Sequence, residues 1–263
     1  MAMDEGWLLK GMRKVMNAFK SGVTNLNPFF LARNAARDIQ DAIIYTKNDA
    51  GFLKAYPRAY AEMAKNGNLW QLYVAAGGMS SSVFDSHKGF TGTLSDRGFA
   101  EVEGNIGKRV LQRIDTANLV VEQLPRFTEF IASIEAGKSV DQAILDSADV
   151  TVNFGRSGKI TKWLNSYLIP FLNASVQGAS KTFRTFTGRK TAKEFCWLVG
   201  RCAILGIAPA VLSSIMYDDD EDYQNLRTED KQNYYLFKAG DKFIKIPRGR
   251  LAALLSGVVV RPD

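Results

Sequence analysis

The sequence predicts a mainly α, multi-helix domain with a long Gly/Ser-rich loop and a short C-terminal β-hairpin. Three observations lead there. Apolar residues recur at helical spacing from Ile106 to Ile134; helix boundaries are marked by N-cap residues and by proline at a first position, as at Asn27 and Pro28; and two aromatic, β-branched runs flank a Gly-containing turn near Gly240. With 263 residues, 46% hydrophobic and 23% charged, the chain has ordinary globular composition and enough length to bury a core. One domain over 1–263 is expected: a basic N-terminal helix (1–23), a main region (24–247) and an apolar tail (248–263).

The chemistry open to the chain is narrow. Two cysteines, Cys196 and Cys202, and one histidine, His87, fall short of a disulfide framework or a zinc ligand set, so no metal and no cofactor is expected. His87 stands in the loop beside Lys88 without a Ser or Cys nucleophile motif and reads as a surface residue. The cysteines are six apart, about 240° around a helix, and read as small apolar fillers. A net charge of +7 permits nucleic acid, anionic lipid or simply a basic surface. No secretory signal is expected at Met1 to Glu5.

In the first helix Trp7, Leu8, Met12, Val15, Met16 and Phe19 form an apolar stripe, and Lys10, Arg13, Lys14, Asn17 and Lys20 take the other side. The favoured reading packs this stripe on the rest of the domain; the other lays it on a membrane surface. Helices follow from Pro28 to about Thr46, with Arg37 and Asp41 four apart, and from Phe52 to Lys65, with Pro57 at a start or kink and Asn66 and Gly67 as the stop.

Glycines and serines between Gly77 and Gly107 mark the loop. Gly77 to Ser82 lacks the lysine and preceding strand of a phosphate cradle. Pro125 is expected to kink the long helix, Gly137 to end it, and Ser139 with Gln142 to open the next helix through Ala148. Asp149 to Gly158 should be extended and then turn. Helix returns near Ile160 to Tyr167 and again from Leu172 to Phe186, where Asn173, Ser175, Gln177 and Ser180 either hydrogen-bond to a neighbouring segment or face water, the second being the default expectation.

From Phe195 to Tyr217, 23 residues carry a single charge, Arg201. Phe195, Trp197, Arg201, Pro209 and Tyr217 define a candidate membrane-insertion segment, with Lys181, Arg184, Arg189, Lys190 and Lys193 before it and Asp218 to Asp222 after it. Arg201, at about 2.5 to 3.5 kcal/mol near a helix centre, makes insertion marginal, so a buried central helix is the favoured reading. The acidic run lacks the spaced ligands and turn glycine of a calcium loop and is expected to lead into a helical turn near Tyr223. Tyr234 to Phe237 and Phe243 to Pro247 form the hairpin, and Leu251 to Val260 is apolar.

Read in order, these motifs resemble the helical large polyvalent-protein-associated domain found near the ends of giant phage and prophage proteins that travel with the genome into the host. The resemblance rests on Asn27 and Pro28 leading to Asn34, Arg37 and Asp38; on Gly77 and Gly78; on Glu122, Pro125, Arg126 and Phe130; and on Gly137, Ala143 and Ala148. It continues through Val152, Asn153, Phe154 and Gly158, through Pro170, Phe171, Asn173, Ala174, Gln177 and Gly178, and through Asp222, Tyr223, Ile246 and Pro247, covering about residues 24 to 247. It implies a helical fold without assigned catalytic residues and a place in the virion interior, then in the host envelope or cytoplasm.

The function expected is therefore a non-enzymatic structural or interaction domain of a virion-packaged or ejected protein. Its partners would be other virion or polyprotein segments. A membrane-active segment aiding genome entry, acting on the host membrane, and a weak DNA-binding domain are the alternatives. Arg37, Asp38, Glu122 and Arg126 are expected to form structural ion pairs, Glu122 and Arg126 being four apart on one helix.

Overall fold

The computed structural model describes residues 7–23, 27–81, 106–151, 159–167, 172–188 and 191–260. Its helices are α1 (Trp7–Val23), α2 (Pro28–Tyr45), α3 (Ala50–Ala64), α4 (Asn68–Ala75), α5 (Ile106–Glu135), α6 (Val140–Val150), α7 (Lys159–Tyr167) and α8 (Leu172–Thr187), followed by the long α9 (Ala192–Met216). Two short helices, α10 (Glu221–Gln224) and α11 (Thr228–Asn233), lead to strands β1 (Tyr234–Ala239) and β2 (Lys242–Pro247), and α12 (Arg250–Ser256) follows. The fold is mainly helical, and the two strands pair antiparallel with Tyr234 opposite Pro247 and Ala239 opposite Lys242.

Local chemistry sets the helix ends. The Asn27 side chain accepts hydrogen bonds from the amides of Phe29 and Phe30, at 3.0 and 3.2 Å, while Pro28 occupies a position that needs no donor. Ser139 accepts from the Gln142 amide at 3.3 Å, and Gln142 turns its own side chain to Asp146. Gly137 takes the positive φ of +80° that stops α5. After α3 it is Asn66, at φ +51°, that adopts the left-handed conformation, and the Gly67 amide closes back onto Glu62. Pro57 lies inside α3, which starts earlier than expected, at Ala50, and α4 was not anticipated. Most of the expected Gly/Ser loop, with His87, and the segment 152–158 lie outside the described residues; Asp149 and Val150, expected to be extended, instead complete the last turn of α6, and Gly78–Ser81 is a single 3-10 turn.

The main core lies where α3, α4 and α6 pack around the second half of α5. Trp70 and Tyr73 of α4 stand against Phe127 and Phe130 of α5, with Trp70 edge-on to Phe127 at 5.0 Å between ring centres. A Cβ at Gly78 would lie 2.2 Å from the Tyr73 ring, so only glycine lets the chain turn past it. Of the stripe expected on α5, Leu124, Phe127 and Ile131 are buried and Ile114, Ala117 and Val121 are half-buried.

A second core joins Ile44 and Tyr45 of α2, Leu198 and Cys202 of α9, and Leu251 and Ala252 of α12. It depends on a break in α9. Proline has no amide to give and its ring crowds the carbonyl four residues back, so Pro209 leaves the Leu205 carbonyl without a helical donor. The helix widens to a π turn over Ala203–Ile207. The Tyr235 hydroxyl of β1 lies 2.7 Å from the Leu205 carbonyl, and Arg248, fully buried after β2, donates to the Gly206 carbonyl at 2.9 Å and to the Tyr234 carbonyl at 2.9 Å. Gly206 admits α12, since a Cβ there would meet Leu255 at 3.0 Å. Gln40 of α2 completes the junction, donating to the Pro247 carbonyl at 2.9 Å and accepting from the Gly249 amide at 2.7 Å.

Removing Arg248 leaves the buried Gly206 carbonyl and the half-buried Tyr234 carbonyl without this donor. Arg248→Met should lower unfolding free energy by about 2 to 4 kcal/mol in a denaturant titration, whereas Lys242→Met on the exposed edge of β2 should change it by less than about 0.5 kcal/mol.

Candidate interaction surface

Three groups of polar side chains lie deep enough to suggest chemistry. The first centres on Glu129 in α5, whose carboxylate accepts from the Thr46 hydroxyl at 2.6 Å, the Lys47 amide at 2.9 Å and the Asn48 side chain at 2.9 Å. Burial raises the Glu129 pKa, against the pull of the Thr46 and Lys47 bonds. Asn48 also donates to Ser133, which lies 3.3 Å from Asp146. Asp146 takes the ammonium groups of Lys47 at 3.0 Å and Lys138 at 2.8 Å; burial alone would raise its pKa, but these two partners hold it below the ordinary value. The network fastens the end of α2 to α5 and α6. A cleft of about 890 Å³ opens beside it, lined among others by Lys47, Asp146, Arg184 and Trp197.

The second group contains the expected ion-pair residues of α2. Asp38 and Asp41 share their surroundings with Lys181 of α8 and Arg250 of α12, while Arg37 faces Arg33, Arg250 and Asp41 and its Nε has no hydrogen-bond partner among the described residues. Burial pushes Asp38 up to about 6, with Glu122 and Asp41 adding to the rise. Burial likewise depresses the Lys181 ammonium, which donates to the Val150 carbonyl at 2.5 Å and lies 3.7 Å from the centre of the Tyr45 ring. Burial carries the Tyr45 hydroxyl, 2.9 Å from Thr182, up to about 12.

The third is the pair expected within α5. Arg126 Nη2 lies 3.6 Å from Glu122 Oε1, and the buried guanidinium also donates to Thr151 at 2.6 Å. In all three groups the acids and bases join helices to one another. Among the described residues, no three His, Cys, Asp or Glu side chains are placed to hold a metal ion. Within the acidic run, Asp220 caps α10 and pairs with Lys238 of β1.

The surface is less ordinary than the interior. The structure corrects the expectation of a buried central helix: only 22% of the most apolar stretch of α9 is buried, although the helix is long and apolar enough, at 25 residues, to cross a membrane. Gly206, Ala210 and Ser213 form its buried back. Ile204, Ile207, Leu212, Ile215 and Met216 are exposed, Ile215 at 71%. Leu254 and Val258, in and just beyond α12, are exposed as well, Val258 at 80%. Isolated exposed apolar residues are common, but a stripe on one helix is a candidate contact surface.

The other candidates of this segment have fixed positions. Phe195 and Trp197 are exposed, Pro209 sets the π turn, and Tyr217 packs edge-on to Phe243 of the hairpin at 5.1 Å. Arg201, the lone charge, donates to the carbonyls of Ile43 and Thr46 at 3.1 and 3.3 Å and reaches Asp49 at 3.3 Å, a cation placed at the C-terminal end of α2 where the helix dipole favours it. Of the two cysteines only Cys202 is a filler, since Cys196 is exposed.

The first helix is the other correction. Leu9, Met12 and Met16 are half-buried, α1 packing against α7, while Trp7, Leu8, Val15 and Phe19 face outward, Trp7 at 84% exposure. The stripe is wider than the face that α7 covers, and part of it is left exposed among the described residues.

The raised Asp38 pKa fixes a pH dependence. The folded state holds this proton more tightly than the unfolded chain does, so the contribution is favourable below about 4 and is lost as pH rises through about 6. At pH 8 the ionised carboxylate should lower stability by roughly 2 to 3 kcal/mol. Asp38→Asn should therefore raise the melting temperature at pH 8 and flatten the fall between pH 4 and 6; a lower melting temperature at pH 8 contradicts the assignment. Comparison with known protein families, with curated proteins and with solved structures found no match.

Proposed function

We propose that this chain is a non-enzymatic structural and interaction domain of a phage or prophage protein, packaged in the virion or ejected with the genome, and that the front of α9 docks on another protein segment of the same particle. The observation that carries the reading is the uncovered row Ile204, Ile207, Leu212, Ile215 and Met216 on a helix whose back is held by the hairpin and α12. Its support in sequence is the ordered motif series from Asn27 to Pro247. The acids and bases of the interior, joined to each other and to helix ends, support a scaffold more than a reaction centre.

A second reading, insertion of α9 into the host membrane, is favoured by one observation, its length of 25 residues, about 37 Å against a hydrocarbon core of about 30 Å. It would require Arg201 to leave Ile43, Thr46 and Asp49, and Leu205 and Gly206 to lose Tyr235 and Arg248. Docking needs neither.

Particles purified from a phage carrying this chain should contain it, and Leu212→Asp with Ile215→Asp should cut its incorporation about tenfold without lowering its soluble yield. A chain absent from particles, or incorporation untouched by both substitutions, contradicts the proposal.

A further inference from the structure

Charge is distributed unevenly over this fold. Helices α1, α7 and α8 hold eight cations in their sequences, Lys10, Arg13, Lys14, Lys20, Lys159, Lys162, Lys181 and Arg184, and not one Asp or Glu. The whole chain nets +7, so everything outside these three helices nets minus one. The three are also neighbours, α1 packing on α7 and α7 on α8. Lys181 is turned inward to Val150, whereas Lys10, Arg13, Lys14 and Arg184 are exposed.

The same three helices expose large apolar side chains. On α1, Leu8, Val15 and Phe19 fall within an arc of about 40°, and Lys10, Arg13 and Lys14 are centred about 190° away, with the exposed Trp7 at the border, beside Lys14. Trp163 of α7 is exposed. On α8, Val176 and Phe183, seven residues apart, share the side opposite Lys181, with Phe183 at 70% exposure.

From these observations we infer that α1, α7 and α8 form a docking surface for an anionic lipid bilayer, α1 lying in the interface with Leu8, Val15 and Phe19 among the acyl chains and its cations at the headgroups. Charge complementarity selects the occupant, since basic residues near an anionic leaflet each gain about 1 kcal/mol in binding, a roughly fivefold factor in affinity. An exposed apolar row facing away from its cations suits a lipid interface, where the two are needed at different depths. A nucleic acid could use Trp7 beside Lys14 and Phe183 beside Arg184, but the aliphatic Leu8, Val15 and Val176 would have no role along a phosphate path. The inference does not rest on the proposed docking of α9, which concerns a different helix with no cation on its front.

Flotation of the full chain with vesicles of phosphatidylcholine, alone or with a quarter phosphatidylglycerol, tests it. The anionic vesicles should bind at least about tenfold more protein at low salt and lose most of it at high salt. Val15→Asp with Phe19→Asp should lower binding about tenfold, Lys10→Glu with Lys14→Glu should do the same, and Ile215→Asp should leave it within about twofold. If the first pair fails to fold, the second pair decides. Equal binding to both vesicles, loss in Ile215→Asp with retention in the α1 variants, or binding of a single-stranded oligonucleotide without binding of anionic vesicles overturns the inference.

Discussion

One missing amide organises the C-terminal half of this molecule. Because Pro209 cannot donate, the Leu205 carbonyl needs a partner from outside its helix, and the turn before the proline opens into a π segment that exposes backbone on one side only. The hairpin answers with the Tyr235 hydroxyl and Arg248, and Gln40 extends the junction to α2. These partners all lie behind α9. What covers the back of the helix is thereby fixed, and its front stays exposed.

Buried polar side chains do comparable work elsewhere. Glu129 and Asp146 take donors from the chain between α2 and α3 and from the ends of α5 and α6, which holds three helices in register. Arg201 is a cation in an apolar helix because the last carbonyls of α2 need one. Buried ion pairs contribute little net stability once desolvation is charged against them, but leaving one partner alone is strongly unfavourable, so such groups specify which helices meet. The same residues that would attract attention as a catalytic cluster are thus sufficient to explain the packing.

The sequence carried the helix boundaries well where a local signal decides them, as at Asn27, Ser139 and Gly137, and it located the hairpin from its aromatic runs, with strands slightly longer than expected. It was silent on α4, whose Leu69, Trp70, Leu72, Tyr73 and Val74 are apolar nearly all round and show no clear stripe. For the surface the pattern misled. A stripe on α1 says that a face is apolar, not which element covers it, and α9 has no polar side to distinguish front from back. Arg201 could be counted as an insertion penalty from sequence, but its true partners are more than 150 residues away in the chain.

The central claim, that the chain leaves the front of α9 bare while its own hairpin and α12 occupy the back, is tested most directly by thiol accessibility. In a Cys196→Ser, Cys202→Ala background, Ile215→Cys should react with a water-soluble maleimide nearly as fast as in the unfolded protein, and Ser213→Cys at least about a hundredfold more slowly. Equal protection of both positions in the isolated chain would mean that another part of the same polypeptide covers that front, and the account would fail.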